Sequence, residues 1–78
     1  MTVDQIRTTL QAAPFQPFEI HSADGRAYVV KHPDFAIIGP TGRTMIVYEA
    51  EGDDSFNILD LRLVTAIRVP SAQASASN

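Results

Sequence analysis

Apolar residues recur near the start of the chain at Val3, Ile6 and Leu10, with Ala13 in phase. That spacing lines one face of a helix. Thr2 and Gln5 stand at the separation of a capping box, and Asp4 adds a negative charge where the helix dipole favours one. Pro14 pushes Ala13 out of the α region, so the pattern predicts a helix from Val3 to about Ala12.

Beyond the helix the period falls to two. Pro14-Phe15-Gln16-Pro17-Phe18 reads as an extended connector stiffened by two prolines. Strands are predicted at Phe18 to Ala23 and Arg26 to Lys31, joined by Asp24-Gly25 in a two-residue type I′ turn. Such a loop sets Ser22 opposite Ala27, His21 opposite Tyr28 and Ile20 opposite Val29. Phe18, Ile20 and Val29 then face the core, while His21, Tyr28 and Val30 share the other side.

His32-Pro33 stops regular pairing, and Phe35 to Ile38 is a short apolar segment expected to be buried. After the turn cluster Gly39-Pro40-Thr41-Gly42 comes a strand from Thr44 to Glu49. It has Met45 and Val47 on one side and Ile46 and Tyr48 on the other. Glu51 to Ser55 reads as an acidic loop, Phe56 to Leu59 as a strand, Asp60-Leu61-Arg62 as a tight turn and Val64 to Val69 as the last strand. Ser71 to Asn78 lacks apolar periodicity and is expected to be disordered. Residues 1–70 are thus predicted to form one small, mostly β (α+β) domain. Its N-terminal helix is followed by a five-stranded antiparallel curled sheet or a small SH3/Sm-like barrel.

Composition narrows the function. A chain of 78 residues without cysteine has no disulfide staple, and with two histidines it offers little for a structural metal. Chains of this size bury only roughly 60% of the surface they expose when unfolded, so a homo-oligomer is expected. The net charge of −3 argues against a broad basic field for nucleic acid. No apolar run approaches the ~20 residues of a membrane span. The first residues lack a basic segment followed by an apolar one, so a cytoplasmic location is expected.

The motifs of catalysis are missing from the chain. It has no cysteine nucleophile, no Gly-x-Ser-x-Gly, no His-Glu-x-x-His and no glycine-rich phosphate loop. The protein is read as not an enzyme, with no cofactor and no metal. His32 reads as a turn residue, and Glu49, Glu51, Asp53 and Asp54 as solvated charges without calcium-loop spacing. His21 and Tyr28, on the face away from the core, are the candidate protein-contact residues. Arg26, Arg43 and Arg62 are the candidate cations for RNA, Arg26 and Arg43 both lying just after glycine turns.

Two resemblances add to this reading. Pro14-Phe15-Gln16-Pro17-Phe18-Glu19-Ile20-His21, Asp24-Gly25-Arg26 and His32-Pro33-Asp34-Phe35 resemble a group of short uncharacterised bacterial proteins across most of residues 2–69. That resemblance implies a family and no activity. Ile20-His21-Ser22-Ala23-Asp24-Gly25-Arg26 and Leu63-Val64-Thr65-Ala66-Ile67-Arg68-Val69-Pro70 resemble the first and last motifs of Sm-like proteins, the bacterial RNA chaperone among them. This second resemblance implies a ring built by pairing the last two strands between neighbours, with RNA at the pore. The basic pair of the chaperone has no counterpart here, Leu61-Arg62 standing near its place. The sequence therefore leads first to a small, self-associating protein-interaction module, and second to an Sm-like RNA binder.

Overall fold

A computed structural model describes residues 3–49 and 54–70. Helix α1 spans Val3–Leu10, and six strands follow: β1 Phe18–Ser22, β2 Ala27–Val30, β3 Ala36–Ile38, β4 Thr44–Tyr48, β5 Phe56–Asp60 and β6 Val64–Arg68. Single 3-10 turns at Pro33–Phe35 and Leu61–Leu63 separate β2 from β3 and β5 from β6. The capping position Thr2, most of the acidic loop (50–53) and the tail (71–78) lie outside the described residues.

The strands form two antiparallel three-stranded sheets, in the orders β2-β1-β6 and β3-β4-β5. This corrects the expectation of a five-stranded curled sheet or closed barrel. The physical reason lies at Pro33, which has no N–H to give to a ladder and starts the 3-10 turn that breaks β2 from β3. The short apolar segment after it becomes a strand of its own. Ala36, Ile37 and Ile38 pair with Val47, Ile46 and Met45. The chain turns its second corner at Asp60, whose carboxylate caps the turn by accepting the Arg62 N–H at 2.9 Å. A tight turn there was expected from the sequence.

The first hairpin differs from its expected register by one residue. Phe18 pairs with Val30, Glu19 with Val29, Ile20 with Tyr28 and His21 with Ala27. The loop is three residues long. The Gly25 N–H donates to the Ser22 carbonyl at 3.0 Å, and Gly25 takes a φ of +88°. A turn followed by a left-handed glycine is the other common way to close a hairpin on Asp-Gly. Because side chains alternate, the slip of one residue turns β2 over. Val30 is fully buried, and Val29, expected in the core, is 45% exposed.

The two sheets and the helix enclose one core. Phe18, Ile20, Val30, Met45 and Val47 are its most buried strand residues, and Ile6 comes from the helix. Val3 and Leu10 flank Ile6 and lie partly buried against the same cluster. The helix ends two residues earlier than expected. Its last turn closes through the Gln11 N–H to the Arg7 carbonyl at 3.0 Å and the Ala12 N–H to the Thr9 carbonyl at 3.4 Å. Phe15 in the proline connector meets Phe18 edge to face, ring centres 6.0 Å apart. Among the described residues no helix is long and apolar enough to cross a membrane.

Candidate functional site

His21 and Tyr28 do not share a face. The register that buries Val30 also turns Tyr28 toward the core, where it packs opposite Ile20 and is partly buried. His21 points outward from β1. Its Nε2 lies 3.0 Å from Glu19 Oε1, and Arg68 Nη1 lies 3.8 Å from the same oxygen. The outer side of β2-β1-β6 is therefore a small polar network rather than an aromatic contact patch.

The candidate arginines lie around the Asp60 corner: Arg26 lines a cleft with Asp60, and the Leu61 N–H donates to the Arg43 carbonyl at 2.8 Å. Arg26 and Arg62 belong to a device that the chain uses twice. In Asp24-Gly25-Arg26 and in Asp60-Leu61-Arg62, the aspartate accepts the backbone N–H two residues on, at 3.1 Å and 2.9 Å. Aspartate favours this turn because its short side chain reaches that N–H. The arginine then folds back on the same carboxylate. Arg62 does so with two bonds, Nε at 3.0 Å and Nη2 at 2.8 Å, and Arg26 with a looser contact of 3.6 Å.

These bonds favour the ionised carboxylates. The Arg62 side chain is the largest influence holding Asp60 below its ordinary value of 3.8, and the Arg26 N–H is the largest lowering Asp24. Asp60 in turn pushes the Arg62 guanidinium up. Both cations are neutralised locally. Arg43, exposed just before β4, has no ion-pair partner among the described residues.

A cleft of about 240 Å³ lies between the two hairpins, with Ser22, Asp24, Arg26 and Tyr28 on one wall and Ile58 and Asp60 on the other. It joins Arg26 and Tyr28 but holds neither His21 nor Arg43. Its charged groups are already paired with their own neighbours, and it presents no uncommitted acid or base.

The outer face of β3-β4-β5 is largely apolar among the described residues, with Thr44 and Asp60 as its polar pair at one end. Ile37, Ile46 and Ile58 stand opposite one another in a row across the three strands. Tyr48 and Phe56 form the next pair, with ring centres 5.6 Å apart. Ile37 is 54% exposed, Phe56 52% and Ile58 68%. Isolated apolar side chains at a surface are ordinary, whereas a contiguous patch marks an interaction site. The sequence carried half of the signal, since β4 is apolar on both sides. It missed that Ile37 and Ile58 would fall in line with Ile46. No family model matches the sequence, no curated protein matches it, and no solved structure matches it.

Proposed function

We propose that the protein is a small, non-enzymatic interaction module that self-associates, and that its contact surface is the outer face of β3-β4-β5. The observation that carries this reading is the contiguous row Ile37–Ile46–Ile58 with Tyr48 and Phe56 beside it, of which Ile37, Ile58 and Phe56 are exposed and Ile46 and Tyr48 half-buried, on a sheet whose other side already faces the core. A three-stranded sheet of this size gains little from outward isoleucines unless something covers them. The site moves from His21 and Tyr28 to this face because Tyr28 is committed to the core and His21 to Glu19. Light scattering across a concentration series tests the reading. The mass should rise above the 8.5 kDa of one chain as concentration increases. A constant monomer mass would remove self-association.

A second reading is an Sm-like ring that binds RNA. It draws support from β5 and β6, each of which ends its sheet and, among the described residues, leaves one backbone edge without a strand beyond it. Edges of this kind can pair with another chain. Against it stand the local ion pairs that occupy Arg26 and Arg62. The ring reading expects a discrete species of five to eight subunits and RNA affinity that falls steeply with salt. The absence of RNA binding at about 50 mM salt, where phosphate contacts are strongest, would remove it.

A further inference from the structure

The hydrogen bonds between β4 and β5 fix which backbone groups of β5 are in use. The Leu61 N–H donates to the Arg43 carbonyl and the Glu49 N–H to the Ser55 carbonyl, each at 2.8 Å. These bonds close the two ends of a ladder in which Met45 faces Leu59 and Val47 faces Asn57. Bonded and non-bonded pairs alternate along an antiparallel ladder. Asn57 and Leu59 therefore turn their N–H and C=O groups toward β4, and those of Phe56 and Ile58 point away from it. Among the described residues no strand pairs with β5 on that side.

The cleft between the two hairpins runs along this same edge. Ile58, Leu59 and Asp60 all line it. Successive side chains of a strand point to opposite faces, so a cleft that touches three in a row meets the strand at its edge. Its volume of about 240 Å³ is below the roughly 300–1,000 Å³ of a small-molecule site.

We infer that this edge docks an extended peptide segment of a partner protein, which adds to β5 as a fourth strand and puts an apolar side chain into the cleft. An open row of backbone donors and acceptors is matched by another extended backbone, and a pocket beside it selects the side chain. The site is separate from the face proposed for self-association, so a monomeric chain would leave it standing. The other three sheet edges carry the features that protect an edge: short length, basic residues, prolines and bulges. β3 has three residues, and β2 is followed by Lys31 and Pro33. β6 carries Arg68, a register shift against β1 and Pro70 just beyond its end. β5 pairs without a shift and has neither a basic residue nor a proline.

The walls of the cleft define the occupant. A strand taken from a folded sheet brings its own neighbour about 4.8 Å further out. Here the opposite wall, with Ser22 and Tyr28, closes that space, so the cleft takes a lone extended segment rather than the sheet edge of a second copy. Asp24 is held by Arg26 and Asp60 by Arg62, which leaves nothing for a charged guest. Leu59, Leu63 and Val64 offer apolar contact instead. The next side chain of the added strand falls beside Ile58 and continues the isoleucine row. The segment that fits is a short, uncharged run of β-branched residues.

Amide hydrogen exchange on the full chain tests this, with and without the capped peptide Lys-Thr-Val-Ile-Val-Thr-Lys. Saturating peptide should slow exchange at Phe56 and Ile58 by about tenfold or more. Asn57 and Leu59 should not change, because β4 already holds their amides. Leu63→Asp, an exposed position on the cleft wall, should weaken binding about tenfold by setting a charge against the apolar guest, with circular dichroism confirming the fold. The same peptide methylated on its backbone nitrogens should not bind. Binding that survives this methylation, or that protects the amides of β6 instead, would overturn the inference. So would the absence of binding at millimolar peptide. Protection of Phe56 and Ile58 that rises with protein concentration and needs no peptide would overturn it in favour of a second copy at the edge.

Discussion

Ile58 stands directly opposite Ile46 on β4 and β5, both side chains outward, while the next pair along, Leu59 and Met45, points into the core. Adjacent residues of one strand thus serve opposite purposes. Ile58→Asp should change the stability of the monomer by no more than about 0.5 kcal/mol, the usual range for an exposed site. Leu59→Ala, which opens a cavity beside Met45, should cost about 2–4 kcal/mol. Urea unfolding at low protein concentration measures both.

The first hairpin yields a similar pair. Val30→Ala removes buried methyl groups opposite Phe18 and should cost about 2 kcal/mol. Val29→Ala, opposite Glu19 on the solvent side, should change stability by less than about 0.5 kcal/mol. The reverse order would mean that the two-residue turn forms instead. Urea midpoints of the two variants decide it.

Gly25 tests the same loop through its backbone. Nothing lies within 4 Å of where a side chain would begin, so an added methyl group has room. The φ of +88° is what a side chain resists. Gly25→Ala should cost about 1–2 kcal/mol, and Gly25→Asn less, because asparagine tolerates left-handed backbone. Thermal unfolding of the two variants, compared with wild type, reads the difference.

Asp24 and Asp60 give the fold a dependence on acid. Both carboxyls sit below their ordinary value of 3.8 in the folded chain. A depressed carboxyl contributes stability that is present above its unfolded value and is lost as pH falls through the folded one. Urea midpoints should therefore fall as pH drops below about 4. Asp60→Asn should flatten that fall, because it removes the group that Arg62 holds ionised. An unchanged acid limb in Asp60→Asn would show that the Arg62 pair is not formed in solution.

Much of the fold was legible in the sequence, and the limits have physical causes. The helix could be read from Val3, Ile6 and Leu10, and the second corner from Asp60-Leu61-Arg62. The register of the first hairpin could not, because Asp-Gly serves both a two-residue and a three-residue loop. With Val29 and Val30 adjacent, either register places a valine in the core. β3 has only three residues, and no alternation can show over so short a run. The contact face was half visible in β4, where Ile46 and Tyr48 alternate with Met45 and Val47. Which side faced outward depended on pairing with Ile37 and Ile58, and pairing is not a local property. The two aspartate–arginine turns were visible as spacings, but their effect on Arg26 and Arg62 needed the folded geometry.

The most direct test of the central claim is a dilution series followed by amide chemical shifts on the labelled protein. The account predicts that concentration-dependent shifts gather at Ile37, Ile46, Tyr48, Phe56 and Ile58, with little change along β1. Shifts confined to β2-β1-β6 or to the β5 and β6 edges, or none over the whole range, would contradict it.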